Sequence, residues 1–231
     1  MTNKTFSRRN FIKLSALSLG SLAFNPKMEN RRPISRQKIV RVAGVGNIKS
    51  VSIHKYPDED SVILYQRYKD DLINVYDEIE SVFGPEFNPI WYRVWGGYVH
   101  RKWLVEVENI SNPLTDTIHE DGQLGEITVP YTRAYRYSSF YGWEPVYRLY
   151  YQSYHWIRDI VEGPDGKPWY ELEDELLRFK FAVPAEVVRI VPDTEFEPIS
   201  PDVPQGDKRI EISIYNQELT ASERDEVVFQ T

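Results

Sequence analysis

"GPEFNPIWYRVWGGYVHRKWLVEV", residues 84–107, and "GPDGKPWYELEDELLRFKFAVPAEVVRIV", residues 163–191, are two versions of one pattern. Gly84-Pro85 matches Gly163-Pro164, and Pro89 matches Pro168. Trp91-Tyr92 matches Trp169-Tyr170, with one residue fewer between proline and tryptophan in the second copy. Downstream, Val99, Trp103, Leu104 and Val107 fall in step with Val183, Val187, Val188 and Val191. A repeat at this spacing means one structural unit met twice, and it outweighs any single motif.

Working outward, each copy is preceded by strand-like sequence. Val51 and Ile53 alternate with polar residues, "YPDEDS" (56–61) is a turn, and "VILYQRY" (62–68) and "DLINVYDEI" (71–79) follow as strands. In the second half, "ITVPYTRAYRY" (127–137) and "VYRLYYQSYHWIRDIVE" (146–162) alternate in the manner of strands with one buried face. Gly166 in "PDG" supplies the positive φ that a tight hairpin needs. Composition agrees: 16 Tyr, 10 Phe and 6 Trp in 231 residues favour strands, and 15 Pro favour short elements with stiff connections. A mostly β fold with two similar modules is expected.

No cysteine is present, which excludes disulfides, thiolate metal sites and a cysteine nucleophile among these residues. The net charge is −7, a poor match for nucleic acid or an anionic membrane. No nucleic-acid partner is expected. His54, His100, His119 and His155 show neither His-x-His nor His-x-x-x-His spacing, so no metal and no cofactor is expected. Glu171, Glu173, Asp174 and Glu175 could be imagined as an acid–base pair, but closely spaced acids after a hairpin read as a solvated rim.

"SRRNFIKLS" (7–15), followed by "ALSLGSLAF", resembles a twin-arginine export signal, with Arg8, Arg9, Phe11 and Lys13 ahead of a modest apolar run. That run is shorter than the ~20 apolar residues a spanning helix requires, so no permanent membrane span is expected unless the signal stays uncut. The resemblance implies export, and a location in the cell wall, the periplasm or outside the cell.

The repeated layout, and "GGYVHRKWL" (96–104) in particular, resembles the bacterial SH3-like module of cell-wall proteins. The last stretch, "KRIEISIYNQELTASERDEVVFQT" (208–231), reads as strand, polar turn, strand. It resembles the opening of the L,D-transpeptidase (YkuD-type) catalytic domain, whose reactive cysteine and histidine lie further downstream in that family. The expected order is therefore a signal at 1–24, a tether at 25–46, SH3-like module 1 at 47–109, a linker at 110–122, SH3-like module 2 at 123–192, a proline-rich acidic spacer at 193–207, and a truncated catalytic start, a β-hairpin remnant, at 208–231. The spacer's composition suits a stiff connection of about 40 Å if it is polyproline-like.

In short, the resemblance implies two tandem SH3-like small β-barrels that bind peptidoglycan for an L,D-transpeptidase and cannot cross-link it alone. The alternative is a wall-binding or scaffold protein that pairs its C-terminal strand with a partner. A strand puts Trp91, Arg93 and Trp95 on one face and Tyr92 and Val94 on the other. A small barrel buries only one face, so some of these rings are either core shared between the modules or exposed in a groove. On the groove reading, ligand contact is expected from Trp91, Arg93, Trp95, Tyr98 and Trp103. A second dense aromatic set, from Trp143 to Trp156, is read either as core shared between the modules or as part of the same groove. The ligand would be a wall stem peptide or glycan, with Arg93, Arg101 or Lys102 pairing a carboxylate.

Overall fold

The structure is a computed structural model and describes residues 38–44, 46, 47, 49–83, 88–174, 176 and 179–231. The signal, with Arg8 and Arg9, lies outside the described residues. The chain divides into two compact units, Met1–Val107 (unit 1) and Glu108–Thr231 (unit 2). The fold is mostly β and built of antiparallel sheets. Among the described residues there is no α-helix, and hence no helix long and apolar enough to cross a membrane.

Unit 1 contains β1 (Lys38–Val42), β2 (Ser50–His54), β3 (Ile63–Tyr68), β4 (Leu72–Val75), β5 (Asp77–Glu80), β6 (Ile90–Val94), β7 (Gly97–His100) and β8 (Leu104–Val107). Only Tyr76 separates β4 from β5. Taken as one strand bent at that residue, β4–β5 joins the two hydrogen-bonded sheets β3-β2-β7-β6-β5 and β4-β1-β8 into a single order. Unit 2 begins with β9 (Gln123–Ile127), β10 (Tyr131–Ser138), β11 (Gly142–Tyr150), β12 (Tyr154–Glu162), β13 (Pro168–Asp174), β14 (Phe179–Pro184) and β15 (Val188–Ile190). Its order is β11-β10-β14-β13-β12-β9-β15. The two orders are the same, strand for strand. In unit 2 the bend of β4–β5 is replaced by a register shift between Ile157 and Asp159 inside a continuous β12. The repeat in sequence is thus a repeat of topology, and in both copies the order is open, with β3 and β8, or β11 and β15, at its ends.

The doublets that mark the repeat occupy the middle strand of each three-strand meander. Tyr92 joins Val40, Val42, Val51, Ile53, Val94 and Val99 in the core of unit 1. Tyr170 joins Ile127, Leu149, Ile157, Leu172, Phe181 and Val183 in the core of unit 2. Trp91 and Trp169 point the other way and are buried too. At Trp91, which is 0% exposed, the ring is covered within unit 1 itself; two histidines cover it, as described below.

Three expected boundaries shift. β1 falls inside the stretch read as tether, because its pairing with β4 and β8 and its buried Arg41–Asp70 ion pair (3.0 Å) depend on residues about thirty positions and more away. The linker is pinned to unit 2: Asn112 N donates to Glu186 O (2.8 Å), Thr115 N to the Tyr170 hydroxyl (3.2 Å), and Ile118 packs on the core. The spacer is not fully extended; it forms 3-10 turns at Asp193–Phe196 and Gln205–Asp207, the first tied back by Arg189 to Glu195 (2.5 Å).

The C-terminal stretch holds three strands rather than two: β16 (Lys208–Ser213), β17 (Glu218–Glu223) and β18 (Glu226–Gln230). The polar turn expected between the two strands contains β17, and only Arg224-Asp225, both at positive φ (50° and 66°), make the tight turn of a two-residue hairpin.

His155, on β12, makes unit 2 sensitive to pH. Burial against the Phe181 ring pushes its imidazole below the ordinary value of 6.5, although Asp174 pulls the other way. The unfolded chain therefore takes up this proton first as pH falls, so stability drops as pH falls below about 6.5 and through the lower folded value. His155→Phe is expected to flatten the fall in Tm between about pH 7 and pH 5.5. Equal slopes in parent and variant would show that His155 does not set it.

Candidate functional site

Alternation along the central strands of unit 1 defines an outward face opposite the core. β2 turns Ser50, Ser52 and His54 outward, β7 turns Tyr98 and His100, and β6 turns Trp91 and Arg93. The strands come together because Gly97 lets β7 cross β2 closely; a Cβ there would lie 2.4 Å from the His54 carbonyl oxygen. On this face is a cleft of about 310 Å³ with Trp91 at its floor.

The His54 and His100 rings meet the Trp91 indole edge-on, at centroid distances of 5.4 and 5.1 Å. Both rings are fixed by backbone. His54 Nδ1 donates to Ser61 O (3.2 Å) and His100 Nε2 donates to Asn88 O (2.8 Å). The second bond leaves His100 Nδ1 to accept from Lys102 N (3.4 Å). The rim carries an ion pair between Lys102 and Glu59, whose hydrogen bond holds the Glu59 carboxyl below the usual range.

Trp103 closes the rim and is 38% exposed as a residue. Its backbone is unusual, at φ 66°. The left-handed region costs a side-chain-bearing residue about 1–2 kcal/mol, and a bulky ring seldom adopts it. It is held there by a turn in which Leu104 N donates to Arg101 O (3.2 Å), and by Ala43 N donating to Trp103 O (2.8 Å). Glycine is the residue that such a turn ordinarily selects. Strain at a site with an exposed ring in a cleft is an observation that points to use.

The five residues singled out from the sequence separate. Trp91 and Trp103 are together in the cleft. Tyr98 is the next outward residue, opposite His54 on one side and Arg93 on the other. Arg93 turns away to Asp77 (3.9 Å) and the face of Tyr76. Trp95 is at the tip of the β6–β7 turn, 76% exposed, resting against Tyr65. The cleft adds His54, His100, Glu59 and Lys102, which sequence reading left aside or named only as a possible carboxylate partner. One signal pointed to them: His54 and His100 keep the outward parity of β2 and β7. Of the acids weighed for acid–base chemistry, Glu171 pairs with Lys180 (2.5 Å) and Glu173 with Arg158 (2.7 Å), while Glu175 is outside the described residues. Among the described residues no cluster of three metal-ligating side chains occurs.

No family model matches the chain, and no curated protein matches it. Among solved structures, NlpC1 from Trichomonas vaginalis is similar over 72% of this chain and 50% of that one, at 15% identity and a TM-score of 0.23. The chain thus spans about half the length of that structure. At that TM-score the likeness carries no argument for fold or function.

Proposed function

We propose that the chain is an exported cell-wall-binding region in which the outward cleft of unit 1 takes a peptidoglycan stem peptide. The observation that carries this reading is the strained Trp103 at the rim of a cleft that also offers a cation, a carboxylate and two fixed imidazoles. A stem peptide has the matching chemistry: short apolar side chains for the rings, amides for the imidazoles, and a free carboxylate and amine for Lys102 and Glu59. The twin-arginine-like start and the duplicated SH3-like layout support the same setting. The order of parts resembles extracytoplasmic L,D-transpeptidases, so the role would be to hold wall near cross-linking chemistry that these cysteine-free residues do not perform.

Trp103→Gly separates binding from folding. It removes the ring and also the backbone strain, so Tm is expected to hold or rise, while retention on insoluble peptidoglycan falls about tenfold, or roughly 1.4 kcal/mol. Trp95→Ala should be retained like the parent. Unchanged retention of Trp103→Gly would refute the cleft as the binding site.

A second reading, a scaffold that adds its C-terminal sheet to a partner's, is favoured by one feature. Ile210, Ile212 and Phe229 share one face of the β16–β18 meander and are all exposed. It predicts that deleting residues 208–231 leaves retention on peptidoglycan unchanged and abolishes co-purification with a partner.

A further inference from the structure

Unit 2 has its own cleft, at the same place in the fold and made of different chemistry. We propose that it is a saccharide-binding site. In unit 1 His54 pairs with Tyr98 across β2 and β7; in unit 2 Tyr135 pairs with Ala182 across β10 and β14. His54 meets Trp91 at 5.4 Å, and Tyr135 meets Trp169 at 5.6 Å, again edge-on. Where unit 1 continues with imidazole and an ion-paired rim, unit 2 continues with rings. Trp143 lies 5.9 Å from Trp169, and Tyr137 lies 5.4 Å from Trp143.

The row is fixed from behind. Trp169 Nε1 donates to Asp165 Oδ1 (2.8 Å), and its ring passes over Gly163, where a Cβ would lie 2.2 Å from the indole. Trp169 is buried and serves as backing, Trp143 is half-buried, and Tyr137 is 62% exposed. Beyond the cleft the hairpin tip adds Phe140 and Tyr141, both exposed and 4.6 Å apart.

The cleft measures about 350 Å³, and its edge carries Glu162, Glu171 and Lys180. The Glu171 side chain is bonded to Lys180, while the Glu162 side chain makes no hydrogen bond or ion pair among the described residues. A ligand here must offer a face of C–H bonds to the rings and hydroxyls at its edge for the carboxylates and the ammonium. A pyranose does both. A purely apolar ligand would leave the polar edge unpaired, and a polyanion is disfavoured by the extra carboxylate and by the acidic chain. The rings at the tip extend the platform past one sugar, so the ligand is a chain of them. This inference does not depend on the stem-peptide reading of unit 1.

The test is titration of the full chain with cellotetraose and with the tetramer of N-acetylglucosamine, followed by tryptophan fluorescence and calorimetry. Saturable binding of at least one is expected, weakened tenfold or more in Tyr137→Ala and in Trp143→Ala. Should Trp143→Ala fail to fold, Tyr137→Ala decides, since its ring is mostly in solvent. No saturable binding of either sugar overturns the proposal, as does unchanged affinity in Tyr137→Ala. Loss of sugar binding in Trp103→Gly with retention in Tyr137→Ala would move the site to unit 1 and overturn it as well.

Discussion

Replacing Asp70 with alanine is expected to destabilise unit 1 by about 3–5 kcal/mol, the cost of removing one partner from a buried ion pair. Arg41 and Asp70 are 6% and 7% exposed, with the guanidinium Nη1 3.0 Å from the carboxylate. The guanidinium also donates to Val42 O (3.3 Å), so it is held in place after its counter-charge is gone. Asp70 has a backbone role too. It takes φ 70° in the β3–β4 turn, and its N–H donates to Val42 O (2.9 Å). Asp70→Asn separates the two roles, because asparagine tolerates the left-handed region nearly as well while losing the charge. It is expected to keep most of the alanine penalty, and Arg41→Met in the Asp70→Asn background is expected to recover part of it. Urea unfolding of the full chain measures all three. A cost below about 1 kcal/mol for Asp70→Asn would mean that the charge pair does not hold this corner.

The second large effect is expected at Gly97. Its φ is not positive, so alanine brings no backbone strain there; the cost is steric, a methyl group 2.4 Å from the His54 carbonyl oxygen and 3.0 Å from Ile53 Cγ2. A carbonyl held in a ladder cannot rotate away as a side chain can. Relief requires β2 and β7 to part, at about 2–3 kcal/mol. The single Cα partner between those strands, His54 with Tyr98, is at this point. Gly97→Ala is therefore expected to lower Tm and also to weaken retention on peptidoglycan, because His54 shifts away from Trp91. A stable Gly97→Ala variant with parental Tm would show that the strands are not packed this closely.

The strands and the duplication are legible because they rest on local signals. The Trp-Tyr doublets mark a strand in each copy that is covered on both faces at that point, and "YPDEDS" and "PDG" mark turns by their own chemistry. β1 was not legible. "KIVRV" carries two basic residues among polar neighbours, and only the distant Asp70 and the neighbouring ladders make it a core strand. The middle strand of the C-terminal three is not legible for a related reason: Arg224 and Asp225 adopt the turn usually given to Asn-Gly, so nothing in the residue types separates β17 from the polar turn between the first and last strands. The cleft was half legible. Its rings stand out by type, but His54, Glu59, His100 and Lys102 are brought together by long-range pairing that no spacing rule reports.

In each copy the first strand is bonded to the last. Ile39 stands opposite Val107, and Gly125 opposite Ile190, so the chain enters and leaves each copy at the same end of one antiparallel ladder. A pull on the two ends would open that ladder like a zip, one rung at a time, instead of loading all the rungs together in shear. Under tension the first copy would yield at its outermost rung first, and the second would do so once the bonds of residues 110–115 to Thr128, Glu186 and Tyr170 had let go. The β2–β7 or β10–β14 crossing, which carries the cleft, would be among the last parts to feel the load.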